Sequence, residues 1–392
     1  MRVAYATEYD PRDITRKSGS GFYMMKSLRA QSLDIRPIGP LHAPRLFIPR
    51  VKRWLSRNLL GLEHLVETEW AHVRSLNRQV ARGLNESDAD LVFSSGIRHT
   101  CLLECRQPIV VWHDATYAGL IDYHPRYCGL SKSTIRRARA IDQLTLDNCA
   151  LAVFASEWAA RTALDNYRVD SSKIKVVPFG ANMEGGRSLN EVEAMVDARP
   201  RDRCKLLFVG VDWIAKGGPV ALGVAEELNR RGLRTELTVV GCEPVVKGVL
   251  PDFVKRGGVI SKASGQGMDR LGRLYAESHF LILPTRAECF GIVFAEASSF
   301  GVPGLAPSTG GVPTAIRDGS NGKLFSPGAD VSEYCSYIID LLSARAEYKR
   351  LALSAFDEYQ KRLNWTLNAK LVAGFMENVG RGRGARANVL LT

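Results

Sequence analysis

Short β-branched and apolar runs alternate along this chain with longer stretches whose apolar residues recur at helical spacing, and few folds accept that alternation. Runs at 3–6, 91–94, 109–112, 151–155 and 175–178 form one series, and runs at 205–210, 237–241, 258–261, 280–284 and 302–306 form a second. Helical patterns at 158–165, 218–231, 269–278 and 292–300 fall between them. Strands separated by helices pair in parallel, because each connection has to cross over the sheet. Two series therefore predict two doubly wound α/β domains, and 392 residues are too many for one comfortable core. Residues 181–203 are polar and rich in Gly, Asn, Glu and Arg, which marks a linker between a first domain at 1–180 and a second at 204–362. Residues 363–392 form a final segment whose glycine- and arginine-rich end, 380–388, reads as frayed.

Composition removes several classes. No run of 18 apolar residues exists to span a bilayer, and Glu8 and Asp10 interrupt any apolar leader at the start. Eight cysteines show no Cys-x-x-Cys spacing, so they read as thiols of a reducing, cytoplasmic compartment rather than as a disulfide frame or a zinc site. The net charge is +12, and residues 1–180 hold 26 Lys and Arg against 18 Asp and Glu, while the rest hold 27 against 23. An anionic partner is expected, with the first half meeting it. Nucleic acid is not expected, because no binding module accompanies the charge.

The segment 284–296 follows an apolar strand, turns, and enters a helix near Gly291, with Glu288 in the loop and Glu296 inside the helix. Backbone N–H groups of Phe290, Gly291 and Ile292 are then first-turn donors, which suit phosphate or sugar oxygens, and a carboxylate beside them accepts from sugar hydroxyls. Upstream, Lys216 lies in a loop between strand 205–210 and a helix, placed to neutralise a diphosphate. Glycine turns follow at Gly310, Gly311 and Gly322. Read without context, two glutamates and a loop lysine are equally an acidic loop and a solvated surface.

In their order, these segments resemble the nucleotide-sugar half of the family 4 retaining glycosyltransferases (glycosyltransferase group 1). The shared pieces are Glu-x7-Glu at 288–296, the Thr309-Gly-Gly turn, Asn321-Gly, and the Gly-x5-Lys-Gly pattern at 210–217. The resemblance implies the GT-B fold, with two Rossmann-like domains facing across a cleft and a final helix crossing back to the first. It implies that Glu288 holds donor-sugar hydroxyls, Glu296 the ribose, and Lys216 the diphosphate, and that the amides of 290–292 orient sugar and phosphate. His113, in Trp-His-Asp, matches a histidine facing the transferred sugar, although the same residue also reads as a plain strand-end histidine. Gly19, Ser20 and Gly21 resemble the family's N-terminal glycine loop, and Ser261 falls in the expected base pocket. The donor is then a nucleotide sugar, the acceptor a glycan or lipid-linked hydroxyl, and no metal or other cofactor is required. Val211 departs from the pattern where an arginine is common, so either Lys216 with the helix amides suffices, or Arg286 or an arginine of the first domain substitutes for that cation. Thr314 stands where a glutamate is common. A degenerate, non-catalytic GT-B binder and a GT-B sugar-nucleotide epimerase are the competing readings.

Two further features invite function. Asp88 and Asp90 have the Asp-x-Asp form of a metal site, but acids just before a strand are ordinarily turn residues. Residues 45–62 are basic and amphipathic: Val51, Trp54, Leu55, Leu59 and Leu62 recur at helical spacing, with Lys52, Arg53 and Arg57 on the other side. That pattern fits either a helix packed on the first sheet or one lying on an anionic membrane surface, which would make the protein peripheral.

Overall fold

The computed structural model describes residues 1–43 and 47–389, so Arg45 of the basic stretch lies outside the described residues. The chain divides into two compact units, Met1–Val177 with Thr366–Thr392, and Pro178–Trp365. Each is built on one six-stranded parallel sheet.

In the first unit the strands are β1 (Arg2–Ala6), β2 (Asp34–Ile38), β3 (Leu91–Ser94), β4 (Ile109–His113), β5 (Leu151–Phe154) and β6 (Ile174–Val176), in spatial order β2-β1-β3-β4-β5-β6. The four central strands are buried along almost their whole length, as expected of a parallel sheet covered on both faces. On one side Ala4, Val92, Val111 and Phe154 pack with Val80, Leu84 and Leu146 from helices Trp70–Asn85 and Lys132–Asn148. The sequence reading has no strand at 34–38. That strand is an edge, half exposed and interrupted by Pro37, so it carries no apolar run.

The second unit holds β7 (Cys204–Val209), β8 (Thr235–Val240), β9 (Val254–Gly258), β10 (Phe280–Ile282), β11 (Gly304–Pro307) and β12 (Gly322–Phe325), in order β12-β11-β10-β7-β8-β9. This is the dinucleotide-fold order, with its reversal between β7 and β10. The strand expected at 258–261 lies instead at Val254–Gly258. Gly258, at φ 66°, ends it, and Val259 beyond is 83% exposed.

Residues 181–203 are not a simple linker. Ser188 and Glu191 form a capping box that starts the helix Leu189–Ala198. Arg199 at its end is 2% exposed and donates to the carbonyl oxygens of Ala276, Phe300 and Gly301 and to Tyr348 Oη. A stretch polar enough to look like a connector is thus a tie within the second unit. The last helix, Trp365–Val389, runs through the residues that read as frayed. No helix among the described residues is long and apolar enough to cross a membrane.

Candidate functional site

Ligands of doubly wound sheets bind outside the carboxyl ends of the strands where the order reverses. In the second unit those are the ends of β7 and β10, which carry the two segments singled out above. After β7 the chain turns through Asp212, whose carboxylate accepts the N–H of Ala215 at 2.8 Å, and Trp213 packs on Phe208 with ring centroids 5.2 Å apart. Gly217 then takes φ 79° and opens the helix Gly218–Arg230. A Cβ at this position would lie 1.9 Å from the Pro284 carbonyl oxygen, so only glycine allows the β7 loop to press against the end of β10. That contact carries Lys216 to Glu288, Nζ to Oε2 at 2.7 Å, with both side chains about four-fifths buried.

The Glu288 loop is held from its other side by the glycine turn. The Gly311 N–H donates to the Glu288 carbonyl oxygen at 2.9 Å, and Thr309 Oγ1 donates to that of Arg286 at 3.3 Å. The Arg286 side chain is exposed. Phe290 is buried at 2%, edge-on to Phe179, so only its backbone can serve a ligand. Gly291, at φ 84°, is the N-cap of the helix Ile292–Ser298, whose first N–H groups have no carbonyl four residues back to bond.

Glu296 lies inside that helix with none of its surface exposed. Its Oε2 accepts the Tyr275 hydroxyl at 3.0 Å, and its Oε1 pairs with the Lys262 ammonium. Burial, followed by the Glu296 charge, pushes the Tyr275 phenol well above its ordinary range, so Tyr275 is a fixed donor. Lys262 falls with Ser261 in the stretch 259–262 expected to form the base pocket, but its pairing with Glu296 was not expected. It comes from the loop after β9, and the displaced strand boundary at Gly258 is what hides the pairing in the sequence. Ser261, beside it, is exposed, and its hydroxyl accepts the N–H of Ala263 at 3.3 Å, which shapes this loop.

The first unit has its own reversal, between β1 and β3, and a cavity of 430 Å³ opens there. Thr7, Glu8 and Tyr9 reach it from the end of β1, Ser95 to His99 from β3, and His113 from β4. Arg98 donates twice to Glu8, at 3.1 and 2.9 Å, and His99 Nδ1 is 3.5 Å from the same carboxylate. Burial alone would raise the Glu8 carboxyl, but the hydrogen bond from His99 and the Arg98 charge outweigh it and hold it at about 2. His113 is 7% exposed and donates from Nδ1 to the Ala115 carbonyl oxygen at 2.9 Å, which leaves Nε2 as the acceptor. Burial lowers its pKa, so the imidazole is neutral at pH 7. Arg16 and Lys17 reach the same cavity from the loop before Gly19, which N-caps the helix Ser20–Arg29 at φ 91°. Gly21 is tightly packed as well, since a Cβ there would come within 2.4 Å of Tyr9 Oη.

Asp88 and Asp90 pair with arginines. Arg36 donates to Asp88 at 2.7 Å, Arg2 reaches both acids, and the Arg2 N–H bonds Asp90 at 2.7 Å. The helix Phe47–Leu60 leaves Phe47, Trp54 and Leu59 at 79, 62 and 72% exposure, so these side chains are not packed on the sheet.

Comparison with known proteins agrees with this layout. The family model for glycosyl transferases group 1 matches residues 203–344. A D-inositol 3-phosphate glycosyltransferase of Acidothermus cellulolyticus is 28% identical over 251 residues, covering 60% of this chain and 55% of that protein. One from Frankia alni is 30% identical over 208 residues, covering 49% and 50%. The chain spans about half the length of the curated relatives it matches. Among solved structures, sucrose-phosphate synthase from Thermosynechococcus elongatus superposes with a TM-score of 0.71 at 16% identity, over 97% of this chain and all of that one. Anabaena HepE in complex with UDP-glucose gives 0.64 at 14% identity, over 96% and all of that chain. Residues 203–344 thus match the family of glycosyl transferases group 1, and the two Rossmann-like units have the GT-B fold.

Proposed function

We propose that the protein is a retaining glycosyltransferase of family 4 type, moving a sugar from a nucleotide-sugar donor to a hydroxyl of an anionic acceptor. The observation that carries this reading is the pairing of Lys216 with Glu288 and of Lys262 with Glu296 at the β7/β10 reversal. Carboxylates there accept from sugar and ribose hydroxyls, and ammonium groups meet phosphate. The acceptor hydroxyl forms its bond to the anomeric carbon on the face from which the diphosphate departs. A donor phosphate oxygen takes the hydroxyl proton, and no protein nucleophile and no metal are needed. Rate then comes from positioning and from stabilising the departing diphosphate. The relatives named for D-inositol 3-phosphate, an anionic acceptor, and the structure of HepE with UDP-glucose support this reading. So do Arg16 and Lys17 at the cavity of the first unit, where the neutral His113 is suited to hydrogen-bond a sugar hydroxyl.

A thermal-shift screen against UDP, GDP, ADP, dTDP and CMP without metal tests the donor site. A ligand at 100 times its Kd adds about 2.7 kcal/mol to stability. One nucleotide is expected to stand out and to lose its effect in Glu296→Ala, and sugar transfer then separates an enzyme from a pure binder. The helix Phe47–Leu60 is proposed to lie on an anionic bilayer, with Phe47, Trp54 and Leu59 at the acyl boundary and Lys52, Arg53 and Arg57 at the headgroups. Trp54 fluorescence should shift to the blue with phosphatidylglycerol vesicles and stay unchanged with phosphatidylcholine vesicles. No shift with either lipid would refute the docking.

A further inference from the structure

Each carboxylate of the Glu-x7-Glu pair carries its own ammonium, and the two pairs differ in what a donor can displace. Glu296 has two partners. Tyr275 is buried at 0%, stacked on Phe300 with centroids 5.5 Å apart, and is fixed in the helix Gly265–Glu277. Lys262 stands on the loop between β9 and that helix, flanked by exposed residues, and keeps 17% of its own side chain in solvent. A hydroxyl approaching Glu296 therefore displaces Lys262 and leaves Tyr275 in place. The released ammonium then sits in a mostly buried setting where an unpaired charge is costly, so it takes the nearest anion that the ligand brings. Val211, 84% exposed at the end of β7, contributes no cation to this edge of the sheet.

We infer that Lys262 is a donor-binding residue that pairs with Glu296 and passes to the phosphate when the ribose takes the carboxylate. This rests on the donor-site reading above and adds to it a residue and an exchange of partners. It predicts that Lys262 distinguishes a phosphorylated ligand from the bare nucleoside. For the nucleoside alone the exchange is unfavourable, because the ammonium gives up its carboxylate and gains nothing. For the diphosphate a new ion pair replaces the old one.

The test is calorimetric titration of the whole chain with three series: uridine, UMP and UDP; guanosine, GMP and GDP; adenosine, AMP and ADP. It is run on wild type, on Lys262→Gln, which can still hydrogen-bond Glu296 but carries no charge, and on Lys262→Arg. In the series that binds, Lys262→Gln should weaken the diphosphate about tenfold or more while leaving the nucleoside equal or tighter, and Lys262→Arg should restore most of the diphosphate affinity. Equal losses for nucleoside, monophosphate and diphosphate would make Lys262 a mere support for Glu296 and overturn the inference alone. Wild type binding none of these nine ligands, and neither dTDP nor CMP, would overturn the donor-site reading and this inference with it. Melting curves of both variants establish that they are folded, and if Lys262→Gln is not, Lys262→Arg carries the comparison: it should keep the wild-type ratio of diphosphate to nucleoside affinity.

Discussion

Gly217→Ala should damage both the stability of the second unit and the proposed donor site, and by a predictable margin over a matched control. Two costs arise at this position. The left-handed backbone, φ 79°, disfavours any Cβ by about 1–2 kcal/mol. The new carbon would also lie 1.9 Å from the Pro284 oxygen and 2.4 Å from its carbon, far inside contact distance, with backbone rather than a flexible side chain as the obstacle. Gly232, just past the other end of the same helix, has φ 90° but nothing within 4 Å of its would-be Cβ. Gly232→Ala therefore bears the first cost alone, about 1 kcal/mol, whereas Gly217→Ala should cost about 3 kcal/mol or more. Urea unfolding of the two variants measures the difference. Relief of the clash has to move the β7 loop away from Pro284, and Lys216 moves with it, so Gly217→Ala should also lower transfer about 100-fold, as roughly 1 Å of misplacement can. Equal destabilisation by the two substitutions, or unaltered transfer in Gly217→Ala, would refute the claim that this contact sets the Lys216–Glu288 pair.

Glu288→Gln and Lys216→Met should each lower kcat at least about 100-fold, read in a transfer assay, with melting temperatures near wild type. Asp142 gives a stability signature of one sign: burial pushes its carboxyl up to about 7. Its contribution is therefore complete below the unfolded value near 4 and is lost as pH rises to 7, about 4 kcal/mol in all. The Tyr117 N–H and the Tyr167 hydroxyl donate to its Oδ2, and the Ala118 N–H bonds the same carboxylate. Asp142→Asn can keep the two bonds to Oδ2 and should flatten that slope in urea unfolding between pH 4 and 7. Glu8, held at about 2, has the opposite sign. Its contribution is present above the unfolded value near 4.5 and is lost as pH falls toward 2, and Glu8→Gln should cost about 3 kcal/mol at pH 7, measured the same way.

What the sequence disclosed and what it hid follow from one physical distinction. Central strands of a parallel sheet are buried on both faces, so β1, β3, β4, β5, β7 and β10 announce themselves as apolar runs, and the loops that follow them could be placed from the chain alone. Lys216, Glu288 and Glu296 all lie on such loops or on the helix directly after one, and these are the site residues the structure brings into ion pairs. Edge strands bury less, and β2, β9 and β12 were missed or displaced for that reason. The error at β9 had a functional consequence. With the strand set at 258–261, residue 262 reads as the first residue past a strand end, with no reason to meet Glu296. With the strand ending at Gly258, four residues of loop return the chain so that Lys262 covers the carboxylate.

The same distinction explains the two polar stretches whose roles changed. Arg199 carries four hydrogen bonds to groups as far along the chain as Tyr348, and no pattern local to 181–203 announces partners at that distance. Its neighbour signal, the Ser188–Glu191 capping box, was legible and would have placed the helix. The helix Phe47–Leu60 presents the reverse case, for there the amphipathic spacing was plain and only the partner was undecided. The structure leaves Phe47, Trp54 and Leu59 in solvent, bordered by Lys52, Arg53 and Arg57, and the bilayer docking proposed above would cover that face with a surface both oily and anionic. Local pattern thus identifies which side chains want burial, while the fold decides whether the protein itself can provide it.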